Sequence, residues 1–111
     1  MYVRTLSDIA KECLEDSQAW FPSIANDLTH HCLALAGEVG ELCNIVKKIG
    51  RESLDMQVAY PMLLDETADV FIYLMNICAL LGIDLEKEYD RKQSYNAQRF
   101  GSEDADAEQP V

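Results

Sequence analysis

The stretch from Pro61 to Gly82, PMLLDETADVFIYLMNICALLG, constrains the fold more than any other. Its apolar residues follow a helical period and run almost all round the helix, the mark of a helix buried by its neighbours. One stripe breaks that rule. Asp65, Glu66, Asp69, Tyr73 and Asn76 fall within about 100° of one another. Charges on a buried helix need compensation. Lys and Arg do not supply all of it, because the chain has nine of them and none lies between Arg51 and Lys87.

The same contradiction occurs upstream, in LALAGEVGELCNIVKKIG. With Leu35 at the centre of the stripe, Leu28, His31, Val39, Leu42, Val46 and Ile49 lie within about 40° of it. Glu38 falls at about −60°, inside the apolar stripe. Glu41, three residues on, points to the same edge, and Lys48 follows on that side. Two antiparallel helices, one carrying E-x-x-E (Glu38, Glu41) and the other E-x-x-D (Glu66, Asp69), can turn four carboxylates into one pocket. A hard divalent cation such as Mg²⁺ would compensate them, since it takes oxygen ligands and shares them with waters and substrate phosphates. The plainer reading makes Glu41 and Asp65 rim charges and pairs Glu38 with a lysine.

Around these two segments the chain reads as helical throughout. A first helix covers about Thr5 to Ala19 and ends at the WFPS turn. The second runs from about Leu28 to Ile49, with Asn26 or Asp27 as N-cap and Gly50 at the C′ position. A polar linker, RESLDMQVAY, leads to a third helix beginning near Pro61 and ending at Leu81, before Gly82. Asp84 starts a fourth, whose acids cluster early and whose Lys and Arg fall late, as the helix dipole favours. The expected fold is all-α, a four-helix-bundle-type protomer over residues 1–101. Residues 102–111 form an acidic tail expected to be disordered. A chain of 111 residues leaves much apolar surface uncovered, so self-association is expected.

The net charge of −11 argues against nucleic-acid polymers and anionic membranes as partners. No apolar run reaches the ~18 residues of a membrane span, and no signal-peptide pattern is present. Cys13, Cys32, Cys43 and Cys78 form no C-x-x-C pair and read as reduced thiols of a cytoplasmic protein.

Three further groups have two readings each. Lys92, Asn96 and Arg99 share one face of the fourth helix, suited to a polyphosphate, although Lys92 also has Glu88 at i−4. Trp20 and Phe21 either stack on a base or anchor the first turn in the core. His31 is either a core or pocket-edge residue or a ligand. A di-iron carboxylate site is set aside because the chain has no E-x-x-H pair.

LAGEVGELCNIVKK, DETADVFIYLMNICALLGIDL and KQSYNAQRF together resemble the MazG-like family of all-α nucleotide pyrophosphohydrolases, over about residues 28–100. Glu38, Glu41, Glu66 and Asp69 fit the family's paired motifs, with 24 residues between the pairs. One departure is Ala68, where glycine often precedes the aspartate. The resemblance implies Mg²⁺-dependent hydrolysis of a (d)NTP to the monophosphate and pyrophosphate, with Mn²⁺ as a substitute ion. Glu38, Glu41, Glu66 and Asp69 would hold the metal, and Glu38 or Glu41 would act as base. Lys48 or Lys47, Tyr73, Asn76, Lys92, Asn96 and Arg99 would meet phosphate or sugar, and Trp20, Phe21 and His31 the base. The implied assembly is a homodimer or homotetramer. Alternatives are a dUTP- or dCTP-selective diphosphatase, a phosphoribosyl-ATP pyrophosphohydrolase, or a non-catalytic metal-binding dimerisation module.

Overall fold

A computed structural model describes residues 3–101. They form four helices: α1 (Leu6–Trp20), α2 (Leu28–Gly50), α3 (Met56–Leu81) and α4 (Leu85–Phe100). The expected all-α class holds, and no strand occurs among the described residues. The acidic tail, 102–111, lies outside them.

Local chemistry accounts for the helix ends. Thr5 and Asp8 form a reciprocal capping box at the start of α1, with Asp8 N–H donating to Thr5 Oγ1 at 3.1 Å and Thr5 N–H to Asp8 Oδ2 at 2.8 Å. Asp27 and Asp84 cap α2 and α4 by accepting the backbone N–H three residues on. Gly82, at φ +66°, closes α3: Ile83 N–H donates to Cys78 C=O and Gly82 N–H to Ala79 C=O. This pairing needs a left-handed residue where glycine sits.

Two boundaries differ from expectation. α3 begins at Met56, not near Pro61, because Asp55 caps it, accepting from Gln57 N–H at 2.9 Å. Pro61 lies inside the helix, where its missing N–H costs the bond to the Gln57 carbonyl. Nor is Gly50 the left-handed residue after α2. That role falls to Glu52, at φ 59°, while Ser53 N–H and Oγ both donate to Lys48 C=O at 3.0 Å.

α3 is the central helix. α2 packs along it, α1 packs on its C-terminal half, and α4 turns away by 100° to rest against α1. One bond fixes that last contact: Leu6 N–H donates to Glu86 Oε1 at 2.8 Å. Ala10, Met75 and Cys78 form the core of the α1–α3 contact, with Ile9, Leu74, Ile83 and Leu85 packed round them. Met75 is fully buried, so Met75→Ala removes the centre of a small core. The expected loss is about 2–5 kcal/mol. Calorimetry should show the melting midpoint fall by about 10 °C or more.

The buried stripe of α2 is shifted from its expected centre. His31 and Ile45 are buried, and Ala34, Leu35, Glu38, Leu42 and Ile49 are half-buried, while Leu28, Val39 and Val46 are exposed. Glu38 therefore sits in the middle of the packed face, not at its edge. α3 is likewise not covered all round: Tyr60, Leu64 and Phe71 remain exposed along one line of the helix. The radius of gyration is 17.5 Å, against about 13 Å for a compact chain of this length. The protomer is open, and no single helix in it is long and apolar enough to cross a membrane.

Candidate functional site

The packing of α2 on α3 brings the two acidic motifs together. Glu38, Glu66 and Asp69, all half-buried, each offer a carboxylate oxygen, and these oxygens lie within 4.8 Å of one another. The i, i+3 spacing on α3 puts Glu66 and Asp69 on one side of the helix, and the shifted stripe of α2 aims Glu38 at them. Glu41 is exposed and outside this triad, yet its charge is felt by Glu66. Asp65 is exposed, as a rim charge would be.

The triad is electrostatically unsettled. The Glu66 carboxyl is pushed up to about 7, first by sharing a hydrogen bond with Glu38, then by burial, then by the negative charges of Glu38, Glu41 and Asp69. Its Oε2 is buried and accepts no hydrogen bond. No ion pair to any of these acids occurs among the described residues, so no lysine pairs with Glu38 there. An acceptor-only set of hard oxygens with a buried orphan fits a divalent cation such as Mg²⁺.

Asp69 also lines a neighbouring cavity of about 420 Å³. This cavity lies between the end of α1, the 21–27 turn, the start of α2 and the middle of α3. Trp20, Phe21, His30 and Tyr73 contribute its rings, and His31 and Asn76 its buried polar groups. The rings of His30 and His31 lie 6.4 and 6.1 Å from that of Tyr73. Trp20 and Phe21 are 68% and 56% exposed, so they are not core anchors; they stand at the cavity wall with their faces available. Tyr73 and Asn76, expected near sugar or phosphate, line the same cavity.

The sequence reading takes Cys13 only as a reduced thiol and does not single out Asp16 or Ser17, yet all three line the cavity with Trp20. Their i, i+3, i+4, i+7 spacing on α1 was the available signal.

The cationic groups are elsewhere. Lys92 lies over the Tyr95 ring at 4.7 Å, Asn96 donates to Gln93 at 3.1 Å, and Arg99 lies over Phe100 at 4.8 Å, all within α4. Glu88 pairs with Arg91, not Lys92. Lys48 is ten residues beyond Glu38 on α2, about 15 Å along the axis. One protomer does not bring these groups to its own triad.

Compared with known proteins, the chain matches no family model, no curated protein and no solved structure.

Proposed function

We propose that the chain is a Mg²⁺-dependent nucleoside triphosphate pyrophosphohydrolase of the MazG-like kind, converting a (d)NTP and water to the (d)NMP and pyrophosphate. The observation that carries this proposal is Asp69, which belongs both to the carboxylate triad and to the wall of the aromatic cavity. A ligand filling both features has a flat ring at one end and a multiply charged, metal-binding chain at the other. A nucleoside triphosphate has that form.

Glu38, Glu66 and Asp69 hold the cation in this proposal, with Glu41 beside them. Mg²⁺ bound there supplies charge neutralisation for the triphosphate and a lowered pKa for the attacking water. Trp20, Phe21 and Tyr73 bind the base and fix the α-phosphorus over the triad. Glu41 or Glu38 accepts the proton of the water as its oxygen bonds to the α-phosphorus. The bond from that phosphorus to the bridging oxygen breaks, and pyrophosphate leaves. Nucleotide-dependent pyrophosphate release, lost in variants of the triad, tests the assignment.

The phosphate contacts assigned to Lys92, Asn96 and Arg99 then require a second copy of the chain. The uncovered line of Tyr60, Leu64 and Phe71 on α3 and the open shape of the protomer support a homodimer or homotetramer. Leu64, 53% exposed in the protomer, should be buried in that assembly. Sedimentation of the full chain should give two or four copies, and Leu64→Lys should give one folded copy with reduced turnover. A monomeric, fully active native chain would sink the shared site.

A further inference from the structure

Two side chains in the aromatic cavity are almost sealed from solvent, with His31 1% and Asn76 3% exposed. Each leaves a buried polar atom without a partner: Nδ1 of His31 and Oδ1 of Asn76. Native proteins rarely tolerate such atoms, and two on one cavity wall call for an explanation from outside the chain.

The chemical sense of both atoms can be read. His31 Nε2 lies 2.7 Å from the Ala25 carbonyl oxygen. A carbonyl only accepts, so Nε2 carries the hydrogen, and in the neutral ring Nδ1 keeps a bare lone pair. Asn76 Oδ1 is also an acceptor. The Ala25 bond fixes which ring nitrogen carries the hydrogen, so the neutral ring offers Nδ1 as one acceptor, and the Asn76 amide, oriented with Oδ1 on the same wall, offers a second. Asp16 and Asp69 add further acceptors to the wall, and no Lys or Arg lines it. The missing partner is a donor, and an uncharged flat one suits the rings around it.

Resting on the pyrophosphohydrolase function, we propose that this cavity selects nucleobases carrying an exocyclic amino group beside a ring nitrogen, the edge shared by cytosine and adenine, over their keto counterparts uracil and hypoxanthine. An amino group brings two hydrogens on one nitrogen and can satisfy both His31 Nδ1 and Asn76 Oδ1. Uracil's only ring donor, N3–H, sits between two carbonyls, so presenting it to one acceptor brings a lone pair against the other. A site whose buried polar groups are left unpaired by the wrong ligand discriminates far more than one that loses only apolar contact.

The test is carried out on the full native chain with Mg²⁺. Rates of pyrophosphate release are compared within two pairs, dCTP against dUTP and dATP against dITP. The amino member should lead in kcat/KM by about 10- to 100-fold in each pair. Asn76→Leu should shrink the ratio to within about threefold, while its ligand-free melting midpoint is no lower than the native one, because an unpaired buried amide is removed. Equal kcat/KM within both pairs, or a keto preference, overturns the inference and leaves the hydrolase function standing. Titration calorimetry with dCMP and dUMP separates the two claims. If no nucleotide releases pyrophosphate, the hydrolase function falls, and the cavity inference is judged on affinity alone. Tighter dCMP binding upholds it; equal affinity, or none for either, overturns it.

Discussion

Glu38→Gln should lower kcat for pyrophosphate release by about 10²–10⁴-fold while the protein stays folded. Glu38 occupies the middle of the face that α2 packs against α3, where an apolar side chain would serve stability better. Instead its carboxylate meets those of Glu66 and Asp69 within 4.8 Å. Three acids that close repel one another at neutral pH. The amide of glutamine keeps the shape, removes one charge and can donate to Glu66. The metal-free variant should therefore melt at or above the native midpoint, with its turnover lost. Asp69→Asn should behave in the same way. A variant that keeps full turnover would remove its residue from the site. A variant that loses activity and also melts well below the native chain would mean that these acids serve the fold.

The second large effect is in the joint dependence of stability on pH and Mg²⁺. In the folded, metal-free protein the Glu66 carboxyl is pushed from 4.5 up to about 7. The folded state therefore binds this proton more tightly than the unfolded state does. The contribution to stability is complete below about pH 4.5 and is lost as pH rises through about 7. Above that, the triad carries its charges without compensation. Mg²⁺ binds the deprotonated oxygens, so its stabilising effect should grow over the same range. At a hundredfold excess over its dissociation constant it should add about 2.7 kcal/mol. That corresponds to a rise in melting midpoint of roughly 10 °C or more. Thermal melts from pH 5.5 to 8.5, with and without Mg²⁺, should show the two curves diverging as pH rises. Glu66→Gln should flatten the metal-free slope and remove most of the Mg²⁺ shift. If the variant keeps both, Glu66 does not hold the ion.

Much of the fold can be read from short-range chemistry. Thr5 with Asp8, Asp27, Asp84 and Gly82 each mark a helix end by their own side chain or conformational freedom, so these boundaries are legible in the sequence. Pro61 misleads because proline suits a first turn, while the true start is set by the Asp55 side chain six residues earlier. The end of α2 is hidden for a related reason: glycine is the usual left-handed residue, and here Glu52 takes that conformation.

The site divides along the same line. Glu38, Glu66 and Asp69 converge because i, i+3 spacing and the pairing of two long helices are enough to predict it. The centre of the α2 stripe is less legible, because Val39 and Val46 are as apolar as the residues that are buried, and which of them faces α3 depends on tertiary packing. The direction of α4 is not legible at all. Lys92, Asn96 and Arg99 do share a face, but the tight turn at Gly82–Asp84 sends it away from the triad. The part of the cavity wall formed by Cys13, Asp16 and Ser17 is visible only once α1 is laid on α3.

The most direct measurement is a ³¹P NMR product analysis of the native chain incubated with Mg²⁺ and a panel of NTPs and dNTPs. The expected result is nucleoside monophosphate and pyrophosphate in equal amounts from at least one nucleotide, with neither product formed when Mg²⁺ is chelated. Release of orthophosphate, or no product from any nucleotide while Mg²⁺ still raises the melting midpoint, would contradict the proposed activity and leave a metal-binding helical module.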